Sequence, residues 1–284
     1  MSDEDLQEQR ERLLDGWDAA AKGWGRQADR TRDSALAVSE WMIAHAELAP
    51  GQRVLELAAG PGDTGFMAAR AITPGGTLIS SDASAGMLEI AEERAAEQGV
   101  ANVEFKQLQL EWIDLEAASV DVILCRWGVM LTVDPAAALR ECRRVLKPGG
   151  RCVLAVWDLA ELNPFAVIPG DALVALGHSK PPVPGGPGMF ALSAPGLLAE
   201  MLADAGFFDV VVEPVAISEY YSNVLDWLGQ TRDRSHSFGK VWDQLSDGER
   251  QKLRDQMAEA ASAFADDDGG YDVPGSVLVA AASA

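Results

Sequence analysis

The sequence predicts an α/β fold with a mainly parallel sheet, and three observations lead to this prediction. From Arg53 onward, short apolar runs alternate with amphipathic segments at the spacing of β–α–β units. A glycine-rich turn follows the first apolar run. The chain has 284 residues, of which 48% are hydrophobic, enough to build a large folded core. Right-handed crossovers are expected between the parallel strands.

Two segments before the first strand have apolar side chains at helical spacing. These are residues 5–22 and about 31–47, and the Pro50-Gly51 pair ends the second. Five strands then follow, expected at residues 53–58, 77–81, 102–110, 119–131 and 151–157. Helices are expected at 63–72, 84–98 and 134–150, with Asp63 or Thr64, Ser84 and Asp134 as their N-terminal caps.

The regular alternation ends after Trp157. Helices are expected at 161–177, at 193–207 with Ser193 as cap, and at about 222–235 and 246–265. Strands are expected at 209–221 and 275–284. The segment 158–192 and the helices between the last two strands are expected to cover the C-terminal edge of the sheet.

Charge and cysteine content exclude several kinds of partner. A net charge of −21 repels phosphate backbones and anionic lipids, so we expect neither nucleic acid binding nor membrane insertion. The cysteines, Cys125, Cys142 and Cys152, have no paired spacing and are expected to be core thiols rather than zinc ligands. Because the N-terminus lacks an apolar signal segment, a cytoplasmic protein is expected.

The stretch from Arg53 to Gly65 is the expected ligand site. A buried strand that turns into a helix exposes backbone N–H groups at the helix start, and Gly60 and Gly62 let a ligand approach the backbone. In open α/β sheets such a turn binds nucleotide-type ligands. The structural alternative is a turn that needs glycine for its own geometry alone. A dinucleotide fingerprint is excluded by Ala58 and Asp63, and the sequence has neither a P-loop nor a nucleophile elbow.

Three motifs in order, VLELAAGPGDTG, SSDASAGMLEIA and VILCRWGVMLTVDPAAALRECRRVLKPGG, now carry a family resemblance. Residues 50–158 resemble the class I S-adenosylmethionine-dependent methyltransferases of the ubiquinone/menaquinone-methyltransferase-like (methyltransferase type 11) group. The resemblance implies a Rossmann-like, seven-stranded, mostly parallel sheet of order 3-2-1-4-5-7-6 with a helical cap. It divides the chain into an N-terminal helical cap (1–48), a cofactor-binding core (49–158), an inserted cap (159–192) and the rest of the sheet (193–284) with a helical insertion at about 222–265.

The resemblance implies S-adenosylmethionine as cofactor, S-adenosylhomocysteine as product, and a role for each matching residue. The implied cofactor contacts are Glu56, Ala58, Gly60 and Gly62 on the methionine part, Asp82 on the ribose, Ala83 and Met87 beside the adenine, Gln109, Leu110 and Glu111 at its edge, Cys125 and Arg126 at the amino group, and Trp24 as a cap. Four of these residues have a structural alternative: Asp82 as a helix cap, Gln109 as a solvent-facing residue, Arg126 as a surface ion-pair partner, and Trp24 as a core residue.

The implied function is methyl transfer to a small-molecule, fairly apolar acceptor. Candidates for the acceptor pocket are Trp127, His178, Tyr220 and Tyr221. We assign no catalytic base and no metal ligand. Two alternatives remain open at this point: a cofactor-binding protein without turnover, and another group transferase on the same fold, such as one that moves an aminopropyl group.

Overall fold

The computed structural model describes residues 3–181 and 186–284. Within these residues seven strands form one sheet of order β3-β2-β1-β4-β5-β7-β6, which confirms the order implied by the resemblance. The strands are β1 (Arg53–Leu57), β2 (Thr77–Asp82), β3 (Val103–Gln107), β4 (Val120–Arg126), β5 (Leu146–Trp157), β6 (Phe208–Tyr221) and β7 (Tyr271–Ser283).

The sheet is parallel through β3, β2, β1, β4 and β5. Strand β7 runs antiparallel between β5 and β6. The central strand β1 is buried from Val54 to Leu57, as expected for a strand covered on both faces. This arrangement brings the C-terminal ends of β1, β2 and β4 together at one edge of the sheet.

Helices cover both faces of the sheet and add a layer at its C-terminal edge. They are α1 (Asp3–Arg26), α2 (Ala28–Ser34), α3 (Leu36–His45), α4 (Asp63–Ala71), α5 (Ala85–Glu97), α6 (Pro135–Val145), α7 (Pro164–Ala175), α8 (Leu197–Asp204), α9 (Val224–Arg234), α10 (His236–Gln244) and α11 (Asp247–Ala260). In the described part of the chain, no helix combines the length and apolarity that a membrane crossing requires.

Several element boundaries differ from the prediction. Helix α6 ends at Val145 rather than near residue 150, because Pro148 disfavours helical backbone at the residue before it and Leu146 already pairs with Val120 of β4. The expected helix at 31–47 is two helices, α2 and α3, and the region 222–265 contains the additional helix α10. Residues 182–185 of the expected inserted segment lie outside the described residues.

Two of the predicted helix caps are wrong. Helix α4 has Gly62 as its N-cap, with φ 89°, because the carboxylate of Asp63 pairs with Arg94 at 2.6 Å and Thr64 lies within the helix. Helix α8 has Gly196 as its N-cap instead of Ser193. By contrast, Ser84 and Asp134 cap their helices through side-chain oxygens, as predicted.

Candidate functional site

A cleft opens at the edge of the sheet where β1, β2 and β4 end, and helix α1 forms its outer wall. The cleft and its open mouth together hold about 1090 Å³. We call it the α1 cleft; its lining residues are Arg10, Leu13, Leu14, Trp17, Trp24, Ala58, Ala59, Gly60, Pro61, Asp82, Ala83, Met87, Gln109, Leu110, Glu111, Arg126, Trp127, Gly128, Leu131, Thr132 and Val133.

The glycine turn contributes to the cleft at Gly60, and Gly62 serves a different purpose. Both have positive φ, 52° at Gly60 and 89° at Gly62, which favours glycine. A Cβ added to Gly60 meets no atom within 4 Å, so the space above it is open. A Cβ added to Gly62 lies 2.4 Å from the ring of Phe66. Gly62 therefore allows the turn to pack on α4, and it does not line the cleft.

The first position of the turn carries a side chain under strain. Ala58 has φ 50°, a left-handed conformation that L side chains rarely adopt. Its methyl group fits because Gly128, on the facing loop, has none: a Cβ at Gly128 falls 2.5 Å from the Cβ of Ala58. The space between these two positions therefore holds one methyl group, that of Ala58, and both residues line the cleft.

Glu56 supports the turn from behind and does not line the cleft, contrary to the role carried over from the resemblance. Its carboxylate is buried and accepts from the backbone N–H of Gly65 at 2.7 Å and from the hydroxyl of Ser80 at 3.2 Å. Burial raises the pKa of Glu56 to about 7. Because a Cβ at Gly65 falls 2.0 Å from the Glu56 carboxylate, this close approach requires glycine there.

Asp82 ends β2 at the floor of the cleft and is held by two backbone groups. Its Oδ2 accepts from the N–H of Gly60 and its Oδ1 from the N–H of Ser84, each at 2.9 Å. Burial raises the pKa of the Asp82 carboxyl. Each carboxylate oxygen keeps a further lone pair for a ligand hydroxyl.

The remaining contacts expected for an adenosyl group lie along one side of the cleft. Ala83, Met87, Gln109, Leu110 and Glu111 all line it. Among these five residues, Glu111 also makes an ion pair with Arg10 of α1.

Among the contacts that attach helix α1 to the rest of the protein, two come from residues that line the cleft. Arg10 donates to both carboxylate oxygens of Glu111, at 3.0 and 3.2 Å. Trp24 donates from its indole nitrogen to the carbonyl of Arg234 in α9 at 3.1 Å, and its ring centroid lies 6.1 Å from that of Trp17. The outer wall of the cleft is thus anchored at both ends.

Strand β4 ends at Arg126, and Arg126 and the following Trp127 form the inner wall. Arg126 donates through Nε to the hydroxyl of Thr64 at 3.0 Å, and its guanidinium lies 4.6 Å from the ring centroid of Trp127. The Trp127 ring stacks on Trp157 at 4.3 Å. Cys125, one residue earlier, is fully buried beneath Gly128 and does not line the cleft; burial raises its pKa to about 12.

Three of the four acceptor-pocket candidates lie elsewhere. His178 pairs with Glu249 of α11 at 3.7 Å. Tyr220 is 53% exposed and lies beside Gly270, and Tyr221 is buried against Trp227 with ring centroids 4.5 Å apart. Trp127 is the candidate that lines the cleft.

The resemblance implied an N-terminal helical cap at 1–48 with Trp24 over the cofactor, and Trp24 of α1 lines the cleft. The sequence prediction did not name Arg10, Leu13, Leu14 and Trp17 of the same helix, and it also expected cover from residues 158–192 and 222–265. All lining residues among those described fall between positions 10 and 133. The available signal was the apolar stripe of α1, which as a pattern is the same as that of any core-facing helix.

Comparisons with known proteins point to one family. A family model described as a methyltransferase domain matches residues 48–174. The chain is 32% identical over 139 residues to the ubiquinone/menaquinone biosynthesis C-methyltransferase UbiE of Xanthomonas campestris, covering 45% of this chain and 55% of that protein. It is 31% identical over 184 residues to an arsenite methyltransferase of Halobacterium salinarum, covering 65% of this chain and 44% of that protein.

The chain thus spans about half the length of these curated relatives. Among solved structures, the YcgJ protein of Bacillus subtilis is similar with a TM-score of 0.56 at 23% sequence identity, covering 86% of this chain and 97% of that one. At this identity the likeness is one of fold.

Proposed function

This chain belongs to the class I S-adenosylmethionine-dependent methyltransferases, and on that premise we propose that it transfers a methyl group to a small, fairly apolar acceptor in the α1 cleft. S-adenosylmethionine, when bound, supplies the reactive sulfonium methyl group. The residues of the chain bind the two reactants, align them and exclude water, which is how an in-line displacement gains most of its rate.

The observation that carries the proposal is the contact between Gly60 and Asp82 beside open space. The Gly60 N–H orients the Asp82 carboxylate at 2.9 Å, and no atom lies within 4 Å of where a Gly60 side chain would stand. A ligand can therefore lie against the turn while its ribose hydroxyls donate to Asp82, an arrangement typical of nucleotide-type sites at this edge of an α/β sheet.

The other cofactor contacts we propose follow from this anchor. Ala83 and Met87 provide an apolar face for the adenine ring, and the amide of Gln109 offers a donor and an acceptor for its polar edge. Trp24 closes the cleft from α1. Glu56, Gly62 and Cys125 act by shaping the turn and the end of β4, because none of them lines the cleft.

The apolar character of the remaining wall supports an apolar acceptor. Leu13, Leu14 and Trp17 of α1 face the cleft, as do Leu131 and Val133. An apolar surrounding favours a reaction in which the positive charge of the sulfonium is lost, because the charged reactant is poorly stabilised there. The described lining residues include no histidine, lysine or tyrosine, and the two carboxylates that line the cleft are engaged: Asp82 by backbone N–H groups and Glu111 by Arg10. We therefore propose that the acceptor provides a nucleophile that needs no protein base.

We do not propose arsenite as the acceptor, although one relative carries that activity in its name. Trivalent arsenic is a soft ion that binds thiolates. The three cysteines of this chain are buried, and none lines the α1 cleft. Burial also raises the pKa of Cys125 to about 12, which keeps its thiol protonated.

Calorimetry with S-adenosylhomocysteine tests cofactor binding directly. We expect saturable binding at one site in the wild-type protein. Transfer is then measured with S-adenosylmethionine carrying a radiolabelled methyl group and a panel of quinols, phenols, amines and thiols.

The two measurements separate the alternatives. Folded protein that shows no saturable binding contradicts the proposal. Binding without transfer to any member of the panel favours a cofactor-binding protein without turnover.

A further inference from the structure

Two neighbouring residues in the wall of the α1 cleft each have a buried hydrogen-bond donor that is unused. These donors are Nη1 of Arg126 and Nε1 of Trp127, and neither finds an acceptor among the described residues. Both side chains line the cleft and contact each other, with the guanidinium 4.6 Å from the ring centroid. Unsatisfied buried donors are costly, and those of native proteins call for an explanation such as a bound partner.

The positive charge of Arg126 lacks a direct counter-ion. In the described part of the chain no carboxylate makes an ion pair with it, and its one hydrogen bond goes to the neutral hydroxyl of Thr64 at 3.0 Å. The two acids whose charges act on Arg126 are engaged elsewhere: Glu56 with Gly65 and Ser80, and Asp63 with Arg94. Burial lowers the pKa of Arg126, as expected for a cation that is desolvated without full compensation.

Arg10, the other cationic residue that lines the cleft, has a counter-ion. Arg10 makes a two-pronged ion pair with Glu111 across the cleft mouth. An anion that enters the cleft therefore finds its open cationic partner at the end of β4, not at α1.

Trp127 has a strained backbone conformation, which its neighbours hold in place. Its backbone has φ 60°, which is unfavourable for a bulky residue. A backbone hydrogen bond from Trp127 to the carbonyl of Ala155 at 2.7 Å and stacking on Trp157 hold it there. Strained residues of this kind concentrate at ligand sites.

We propose that Arg126 and Trp127 form a carboxylate-binding subsite in the α1 cleft, an inference that rests on the proposed function. The guanidinium and the indole N–H both donate to carboxylate oxygens, and the guanidinium can do so with charge assistance. Two molecules in the cleft could bring this group: the amino-acid end of the cofactor, or an acidic acceptor. The bond to Thr64 places Arg126 at the first turn of α4, directly after the glycine turn.

Two ligands, of which only one has the amino-acid end with its carboxylate, distinguish the cofactor from the acceptor as the source of this group. S-adenosylhomocysteine has the amino-acid end, and 5′-methylthioadenosine lacks it while keeping the adenosine and the sulfur. We expect Arg126→Met to weaken S-adenosylhomocysteine binding about 10-fold or more and to change methylthioadenosine binding less than about 3-fold. Trp127→Phe, which removes the N–H donor and part of the stacked ring, is expected to show the same selectivity with a smaller change.

A second arm tests an acidic acceptor. Benzoate is titrated into the wild-type protein and into Arg126→Met, each saturated with S-adenosylhomocysteine. Loss of benzoate binding in the variant, with both adenosyl ligands unaffected, assigns the subsite to the acceptor.

Controls keep the result interpretable. Arg140→Met removes the same charge from an exposed side chain outside the cleft and should leave all three titrations unchanged. Arg126→Lys, which keeps the charge, guards against a variant that fails to fold, and thermal melting checks each protein. If folded wild-type protein binds S-adenosylhomocysteine and the Arg126 variants match it in every arm, the subsite is refuted while the proposed function stands.

Discussion

The backbone N–H of Gly60 donates to Oδ2 of Asp82 across 2.9 Å, and this bond joins the turn after β1 to the end of β2. The N–H of Ser84 holds the other oxygen at the same distance. The carboxylate is thus oriented before any ligand arrives, which reduces the ordering cost of binding. Ligand contact at this point depends on both residues, and each can be tested separately.

Asp82→Ala is expected to weaken S-adenosylhomocysteine binding by roughly 1.5–3 kcal/mol, the range for hydrogen bonds to a charged group. The variant removes the acceptor proposed for the ribose hydroxyls, and calorimetry measures the change. Asp82→Asn keeps the shape and tests the charge alone. Glu89→Ala, which removes an exposed carboxylate from α5, is the matched control. Unchanged affinity in folded Asp82→Ala protein removes Asp82 from the site.

Gly60→Val is expected to lower S-adenosylhomocysteine affinity about 100-fold or more, because a branched side chain would occupy the open space beside the turn. Gly99→Val is a close control. Gly99 also has a positive φ, 66°, and open space around it, but it follows α5 outside the cleft.

Both variants should therefore carry a similar backbone strain of about 1–2 kcal/mol, measured by urea unfolding. Only Gly60→Val should lose the ligand. Retained binding in Gly60→Val would show that the ligand does not lie against the turn.

The sheet and the turn could be predicted because their signals are local. Strand runs, glycine positions and caps such as Ser84 are readable within about fifteen residues, and the alternation of strands and helices predicts the parallel core. Asp82 and Gly60 were both expected at the site, since the C-terminal ends of parallel strands meet at one edge.

The N-terminal cap and Trp24 followed from the resemblance, but the other residues that α1 places in the cleft could not be predicted, because they depend on long-range packing. The apolar stripe of α1 predicts a helix with a buried face and does not say which partner that face has. Tyr221 shows the same ambiguity, because an aromatic residue in a late strand is equally suited to a pocket or to the core, and here it stacks on Trp227. Glu56 was expected to contact the ligand, but its burial is set by Gly65 and Ser80 on neighbouring elements.

Ala58→Gly is expected to stabilise the protein by about 0.5–1 kcal/mol. The substitution relieves the left-handed strain at φ 50°, and part of that gain is offset by the greater chain entropy of glycine in the unfolded state. Urea unfolding measures the free energy. A loss of stability would mean that burial of the Ala58 methyl group outweighs its strain.

The size match between Ala58 and Gly128 predicts a coupling between them. Gly128 has φ −102°, which any residue adopts, so Gly128→Ala should be destabilising through contact alone, by about 1–3 kcal/mol. Its new Cβ would lie 2.5 Å from that of Ala58 and 2.7 Å from the sulfur of Cys125. Ala58→Gly should recover part of this loss in the double variant, beyond its own stabilising effect. Strict additivity would show that the two residues do not compete for space.

Glu56→Gln is expected to change how stability depends on pH. The pKa of Glu56 is raised by burial to about 7 in the folded protein, from an ordinary value of 4.5. Between these values the folded state binds more protons than the unfolded state, so the free energy of unfolding falls as pH rises from about 4.5 to about 7. Glutamine resembles the protonated form: its carbonyl can accept from Gly65 and its amide can donate to the Ser80 hydroxyl.

The variant should therefore match the wild type near pH 4.5 and exceed it by up to about 3 kcal/mol at pH 8. Urea unfolding of both proteins at a series of pH values gives this difference, in which the titration of other groups largely cancels. Glu89→Gln, at an exposed position, is the matched control. A wild-type advantage that grows with pH would mean that Glu56 is ionised and stabilising in the fold, because Arg126 and the Gly65 N–H would then outweigh its desolvation.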